Sequence, residues 1–259
     1  MRERSACVAA CLVLSLLFVA CGGDGDNGGT AGQPAKGADV CDALNKTERF
    51  RYTLNYVLDS PKQESPPADP GPSEPGGEYV LKPSSPALRL ESKHEGAFQQ
   101  PDRADFELST PNQPEQKAVR MIRIGEGQWA YLGDAWQILP NPGAYPWGPP
   151  TLCEAFVSPL DLQGVVATVE DVGGTQARHF RLNGAPLSAA AQVFSETSDF
   201  GRLLKLYDID LWVSEKDGRP VKLQAVSRVA YPSGRELSWS LSLELGSYND
   251  DKIDIKQPI

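Results

Sequence analysis

Apolar and polar side chains alternate along several stretches of this chain, most regularly in residues 235–247, RELSWSLSLELGS. Successive side chains of an extended strand point to opposite faces, so this alternation predicts a strand with one apolar and one polar face. Its apolar side carries Leu237, Trp239, Leu241, Leu243 and Leu245. Other atoms must therefore cover that apolar side. If they belong to the protein, the strand is part of a structural core; if they belong to a ligand, the strand lines a cavity.

The same alternation recurs along most of the chain and predicts further half-buried strands. Short turns separate many of them, including Asp217-Gly218, a dipeptide typical of tight hairpins. Strands joined by turns this short pair antiparallel, because parallel pairs need long crossovers. The predicted strands cover 50–58, 87–98, 104–110, 117–125, 128–133, 134–139, 174–184, 204–215, 221–231 and 237–245.

Three helices are predicted between the strands. The first covers 39–48, and the third covers 185–199. The second begins after Ser158 and Pro159, an N-cap residue followed by a first-turn proline, and carries a stripe of Leu162, Val165, Val166 and Val169. Two proline-rich connections, 61–77 and 140–150, are predicted as loops. The fold class predicted is mainly β with helices (α+β), built on an antiparallel sheet.

The N-terminus has the features of an export signal. Arg2 and Arg4 precede an apolar run that ends at Ala20 and Cys21, and a Gly-rich polar stretch follows. This resembles a bacterial lipoprotein signal, although Phe18 stands where an aliphatic residue is usual. We therefore expect a signal peptide at 1–20, a diacylated Cys21, a tether at 21–38 and a single domain at 39–259. Ordinary secretion with cleavage near Ala20, or a retained anchor, is the alternative.

The five cysteines divide according to that processing. Cys7 and Cys11 leave with the signal, and Cys21 takes the lipid. Cys41 and Cys153 remain as an even pair in an oxidising compartment, which predicts a disulfide. A metal or redox site would need more ligands or a CxxC motif, and neither exists in the sequence.

The net charge and the absence of known site motifs argue against several classes of function. Removing residues 1–20 changes the formal charge from −9 to −10, so a nucleic-acid partner is not expected. His94 and His179 are interpreted as structural, and the pair Asp208 and Asp210 as a solvated strand face. No cofactor, metal site or enzymatic activity is predicted, because the motifs of such sites are absent.

The C-terminal stretch YDIDLWVSEKDGRPVKLQAVSR, followed by SLELGSYNDDKIDIKQP, resembles the end of LppX/LprG-type lipoproteins, which are similar to LolA- and LolB-like carriers. GQWAYLGDAWQIL and RHFRL are similar to strands in the middle of that family. The chain departs from the family in its proline-rich insert and its Cys41–Cys153 pair. The resemblance implies a strongly curved antiparallel half-barrel that wraps a few helices around a hydrophobic cavity.

A function follows from that resemblance together with the apolar strand faces. We expect an extracytoplasmic lipoprotein, anchored to the bacterial cell membrane through acylated Cys21, that binds a lipid or other amphiphile for transport or presentation. The alternative is an envelope scaffold or sensor that contacts a protein partner and holds no lipid. The residues expected to line the cavity are Tyr52, Leu54, Tyr56, Leu88, Leu90, Ile209, Leu211, Trp239, Leu241 and Leu243.

Overall fold

A computed structural model describes residues 33–60, 87–140, 148–186, 206–230 and 236–258 of the chain. Several predicted features lie outside these ranges: the signal peptide 1–20, Cys21 and most of its tether, the proline-rich loop 61–77, residues 141–147 of the second loop, and most of the helix predicted at 185–199. The side chain of Leu88 also lies outside the described set.

Eleven strands and two helices make up the described part of the chain. Neither helix is long and apolar enough to cross a membrane. The helices are α1 (Gly37–Asn45) and α2 (Pro149–Phe156). The strands are β1 (Arg49–Ser60), β2 (Leu88–Gln99), β3 (Arg103–Ser109), β4 (Val119–Ile124), β5 (Gly127–Leu132), β6 (Ala135–Ile138), β7 (Thr168–Val172), β8 (Thr175–Pro186), β9 (Leu206–Ser214), β10 (Pro220–Ala230) and β11 (Glu236–Gly246).

All eleven strands form one antiparallel sheet in the order β6-β5-β4-β3-β2-β1-β11-β10-β9-β8-β7. The first and last of the described strands, β1 and β11, are neighbours at the centre of the sheet, where Leu54 is opposite Leu243. The sheet is curved and does not close. The predicted mainly-β class and antiparallel sheet are therefore confirmed. The wrapping by helices and the cavity stay predictions.

Helix α1 forms close to where the sequence predicts it. The carboxylate of Asp39 accepts a hydrogen bond from the backbone N–H of Lys36 at 3.2 Å, and it also places negative charge at the positive end of the helix. Val40, Cys41 and Leu44 recur at helical spacing and are buried. A disulfide joins Cys41 to Cys153 in α2, as predicted, with the two Cα atoms 5.7 Å apart.

The prediction of a helix after Ser158 is wrong. Helix α2 lies earlier, at Pro149–Phe156, and begins with a proline after the extended residue Gly148. Proline fits a first helical turn because its missing N–H would have no partner there. Pro159 follows the end of α2, and residues 158–167 form turns and one isolated bridge. Val169 belongs to β7, opposite Arg178.

We call the face of the sheet that contacts both helices the inner face, and the opposite one the outer face. The main core lies between the inner face and the helices. On the outer face, the C-terminal residues Ile253 and Ile255 pack on Ala97 and Ile122. The backbone of Ile255 is held there, since its N–H donates to the Gln99 side chain at 2.9 Å and its carbonyl accepts from Arg103 at 3.0 Å.

Candidate functional site

Apolar side chains form continuous rows across the inner face, because the strand register brings them side by side. One row crosses five strands and is almost entirely shielded from solvent: Leu54, Leu243, Leu223, Leu211 and Phe180, on β1, β11, β10, β9 and β8. The next row contains Tyr56, Leu241, Ala225, Ile209 and Leu182. The alternation in the sequence therefore predicts the inner-face residues correctly.

The two helices cover the middle of these rows. The ring of Phe156 in α2 lies 5.4 Å from that of Tyr207 and 5.5 Å from that of Trp239. The Tyr207 hydroxyl donates to the Phe156 carbonyl at 2.6 Å, and burial raises the pKa of this phenol. The disulfide fixes α1 beside α2, so the two helices cover the inner face as one linked unit.

Most residues predicted to line a cavity are deeply buried in this core. Seven of them are at most 3% exposed: Tyr52, Leu54, Ile209, Leu211, Trp239, Leu241 and Leu243. Tyr56 is partly buried, and burial raises its pKa. Leu90 differs from them all, because 43% of it is exposed. The structure thus brings the predicted residues onto one face but gives them unequal access to solvent.

Three neighbouring side chains form a row on the inner face that runs from buried to exposed, Trp239 on β11, Leu58 on β1 and Leu90 on β2, which we call the Leu90 row. The row lies near one end of the sheet, where β1 ends at Ser60 and β2 begins at Leu88. Leu58 is only partly buried. Apolar surface therefore continues here beyond the fully covered rows around Leu54.

Trp239 in this row carries a buried polar atom without a partner. The residue is 3% exposed, and its indole Nε1 finds no hydrogen-bond acceptor in the described part of the chain. Leaving a buried N–H unsatisfied costs about 1–3 kcal/mol, and such groups are rare in folded proteins. An acceptor supplied by a guest molecule would remove that cost. The sequence gives the position of Trp239 but no signal for the unmet hydrogen bond.

The histidines occupy the two faces of the sheet. His94 lies on the inner face at 5% exposure, with its ring stacked 5.4 Å from that of Phe106. Burial lowers its pKa to about 4, so the ring is neutral at pH 7. This position agrees with the structural role that the sequence predicts.

His179 lies on the outer face between two carboxylates. Its Nδ1 is 2.6 Å from Glu170 Oε1, and its Nε2 is 2.6 Å from Asp210 Oδ1. The ring stacks on Trp212 at 4.1 Å, and Trp212 Nε1 donates to Glu170 at 2.9 Å. Each ring nitrogen therefore lies within hydrogen-bond distance of a carboxylate oxygen. These contacts hold the edge strand β7 to β8 and β9.

Asp208 and Asp210 have separate hydrogen-bond partners. Asp208 accepts a hydrogen bond from the backbone N–H of Gly184 at 2.9 Å, whereas Asp210 accepts from Arg181 at 2.8 Å. Burial acts to raise the pKa of Asp210, but the hydrogen bonds from Arg181 and His179 outweigh it, and the pKa lies below its usual value. Both carboxylates serve as local acceptors on a partly hydrated face.

Glu170 is a member of this cluster that the sequence analysis missed, because its segment was predicted to be helical up to Val169. The sequence does contain a signal for a hairpin at this point. Gly173-Gly174 separates β7 from β8 as a two-residue hairpin loop, and both glycines have positive φ, +60° and +86°. Gly-Gly is favoured in such loops, since side chains destabilise the left-handed conformation.

The chain is similar to several proteins of known structure, whereas comparisons of its sequence found no match. No family model and no curated protein sequence matches the chain. The solved structure of Mycobacterium tuberculosis lipoprotein LppX is similar at 11% identity and a TM-score of 0.46, over 84% of this chain and 94% of that one. LprF from Mycobacterium bovis is similar at 8% identity and a TM-score of 0.44, over 85% and 93%.

A LolA superfamily protein from Nitrosomonas europaea is also similar, at 11% identity and a TM-score of 0.29, over 86% of this chain and 99% of that one. These proteins belong to the groups that the sequence resembles, so the predicted resemblance is confirmed. Similarity of this degree assigns no ligand to the chain.

Proposed function

We propose that this chain is an envelope lipoprotein that binds an amphiphile with long apolar chains at the Leu90 row and carries or presents it at the membrane. Acylated Cys21 would anchor the protein on the extracytoplasmic side of the bacterial cell membrane. Two acyl chains suffice for this, because each buried CH₂ contributes about 0.8 kcal/mol.

The indole N–H of Trp239, which has no acceptor among the residues that the structure describes, is the observation that carries the proposal. In the strand register Trp239 is next to Leu58, and Leu58 is next to Leu90, so this N–H donor belongs to the same row as partly exposed apolar side chains. An ester or amide carbonyl at the start of an acyl chain has the matching chemistry. Its oxygen accepts from Nε1 while the hydrocarbon chain covers the leucines. Complete burial of an exposed leucine contributes about 1.5–3 kcal/mol, and the partly buried Leu58 and Leu90 would each contribute a fraction of that.

Replacing Leu90 with arginine is expected to abolish uptake of a fluorescent acyl lipid, because a charge would then occupy the apolar contact surface. The side chain is 43% exposed, so the protein is expected to remain folded. Val226→Arg is the matched control: Val226 is 41% exposed but lies on the outer face. Uptake and copurifying lipid, the latter measured by extraction and mass spectrometry, should be lost in Leu90→Arg alone.

The carrier proposal fails if wild-type protein from its own membrane contains no lipid and takes up none. The envelope scaffold or sensor that binds a protein partner would then be the better candidate. Equal loss of uptake in Leu90→Arg and Val226→Arg would also contradict the proposal, since the effect would not depend on the inner face.

Replacing Trp239 with phenylalanine tests the polar contact, because the substitution keeps an aromatic ring and removes the N–H. We expect a roughly tenfold weaker affinity for the acyl lipid, the equivalent of about 1.4 kcal/mol. The free energy of unfolding without lipid should not fall by a comparable amount, since no hydrogen bond is lost. Trp212→Phe is the control: it removes the outer-face bond to Glu170 and should leave lipid affinity unchanged. Unaltered affinity in Trp239→Phe would remove this donor from the site.

A further inference from the structure

One apolar side chain is held in solvent between two residues that pack on the core. Val166 is 88% exposed, whereas its neighbours Val165 and Ala167 are both packed against the main cluster. The backbone N–H of Val165 also donates to the Leu162 carbonyl at 3.3 Å, and Leu162 is fully buried. Val166 therefore cannot turn inward without displacing its neighbours. Val169, in the exposed stretch that begins at Thr168, is 54% exposed.

The segment around Val166 is bonded to the first residues of the described chain. The Gln33 side chain donates to the Val165 carbonyl at 3.2 Å, and the Leu162 N–H donates to the Ala35 carbonyl at 2.9 Å. Lys36 and Asp161 add a β-bridge. The described chain thus begins, at Gln33, directly beside Val166.

The length of the polypeptide between Cys21 and Gln33 limits how far the domain can be from its anchor. Twelve residue steps separate Cys21 from Gln33, and twelve residues span at most about 43 Å when fully extended. If Cys21 is acylated, the bilayer surface is the partner always within reach of this part of the domain. Asp161 and Glu170 are the acidic residues that flank this segment in the sequence, and they favour an uncharged or zwitterionic lipid surface over an anionic one.

We propose that the segment 162–169, with Val166 at its most exposed position, is the surface through which the anchored domain touches the bilayer. This rests on the proposed anchoring through Cys21. A short tether keeps the segment at a high effective concentration near the membrane, so even a small apolar contact is populated. The contact then fixes the orientation of the domain relative to the lipid from which it loads.

A fluorescent label at position 166 tests the contact. Val166→Cys in the acylated protein provides a single reactive thiol, because Cys41 and Cys153 are paired. With an environment-sensitive nitrobenzoxadiazole label and phosphatidylcholine vesicles, we expect emission at shorter wavelength and protection from an aqueous quencher. The matched control is Val226→Cys, which is exposed on the outer face and should show neither effect. In a chain labelled at Val169→Cys, the added substitution Val166→Asp should abolish the shift.

Flotation with the vesicles separates failure of the anchor from failure of the contact. If the protein does not float, the anchoring proposal fails, and the Cys21→Ser form is attached instead through an N-terminal histidine tag to nickel-chelating lipid. If protein held by either route leaves the label at position 166 in water, the contact proposal is wrong. A wavelength shift that appears without vesicles and grows with protein concentration would also overturn it, because the occupant would then be a second copy.

Discussion

Reduction of the Cys41–Cys153 disulfide should lower the free energy of unfolding by about 4–5 kcal/mol, because the bond closes a loop with a sequence separation of 112 residues. In the chain-entropy model, a crosslink of this span removes that much conformational freedom from the unfolded state. Domains are typically stable by only about 5–15 kcal/mol, so the reduced protein should be close to unfolding. Denaturant unfolding of the oxidised and reduced forms measures the difference.

Both cysteines are at most 3% exposed, so their replacements must be chosen to separate the crosslink from packing. A Cys41→Ala, Cys153→Ala double variant lacks the bond and introduces no buried hydroxyl. It should unfold at nearly the denaturant concentration of the reduced wild type. If both thiols react with an alkylating reagent in native, unreduced protein, or if reduction leaves the unfolding midpoint unchanged, the stabilising role is contradicted.

The sequence predicts which segments of this protein form strands better than it predicts which strands pair with each other. Alternation assigns Leu54 and Leu243 to apolar strand faces, since the period-two pattern depends on local residues alone. It does not indicate that β1 and β11, at opposite ends of the described chain, pair at the centre of the sheet. Gly96 in β2 is another non-local feature: a Cβ there would lie 2.1 Å from the Asp105 carbonyl oxygen, and only the packed sheet reveals this close approach.

Alternation also identifies the apolar face of each strand, but it does not show how far other residues shield that face from solvent. Leu90 and Leu241 occupy equivalent positions in their patterns, yet one is 43% exposed and the other 2%. That difference arises from which residues lie above each side chain, and these come from segments distant in sequence. The helix boundaries were misassigned for a different reason: Pro149 and Pro159 both fit a first helical turn, and local rules do not choose between them.

Replacing Leu241 with arginine is therefore expected to unfold the domain, even though the sequence alone allowed Leu241 to line a cavity. Leu241 lies opposite Tyr56 on one side and Ala225 on the other, within the main core. An arginine here would bury an unpaired charge, a change that commonly costs more than about 3 kcal/mol and adds overpacking. Thermal unfolding and circular dichroism would show the loss of structure.

Ser242 supplies the matched control, because it is adjacent in sequence but points to the outer face between Asn55 and Gln224. Ser242→Arg should change the free energy of unfolding by no more than about 0.5 kcal/mol, as is usual for surface positions. If Leu241→Arg instead folds with an unchanged melting temperature and loses only lipid uptake, the charge must reach water from that position. The inner face around Leu241 would then be an accessible cavity wall, and the lipid site would extend from the Leu90 row into the centre of the sheet.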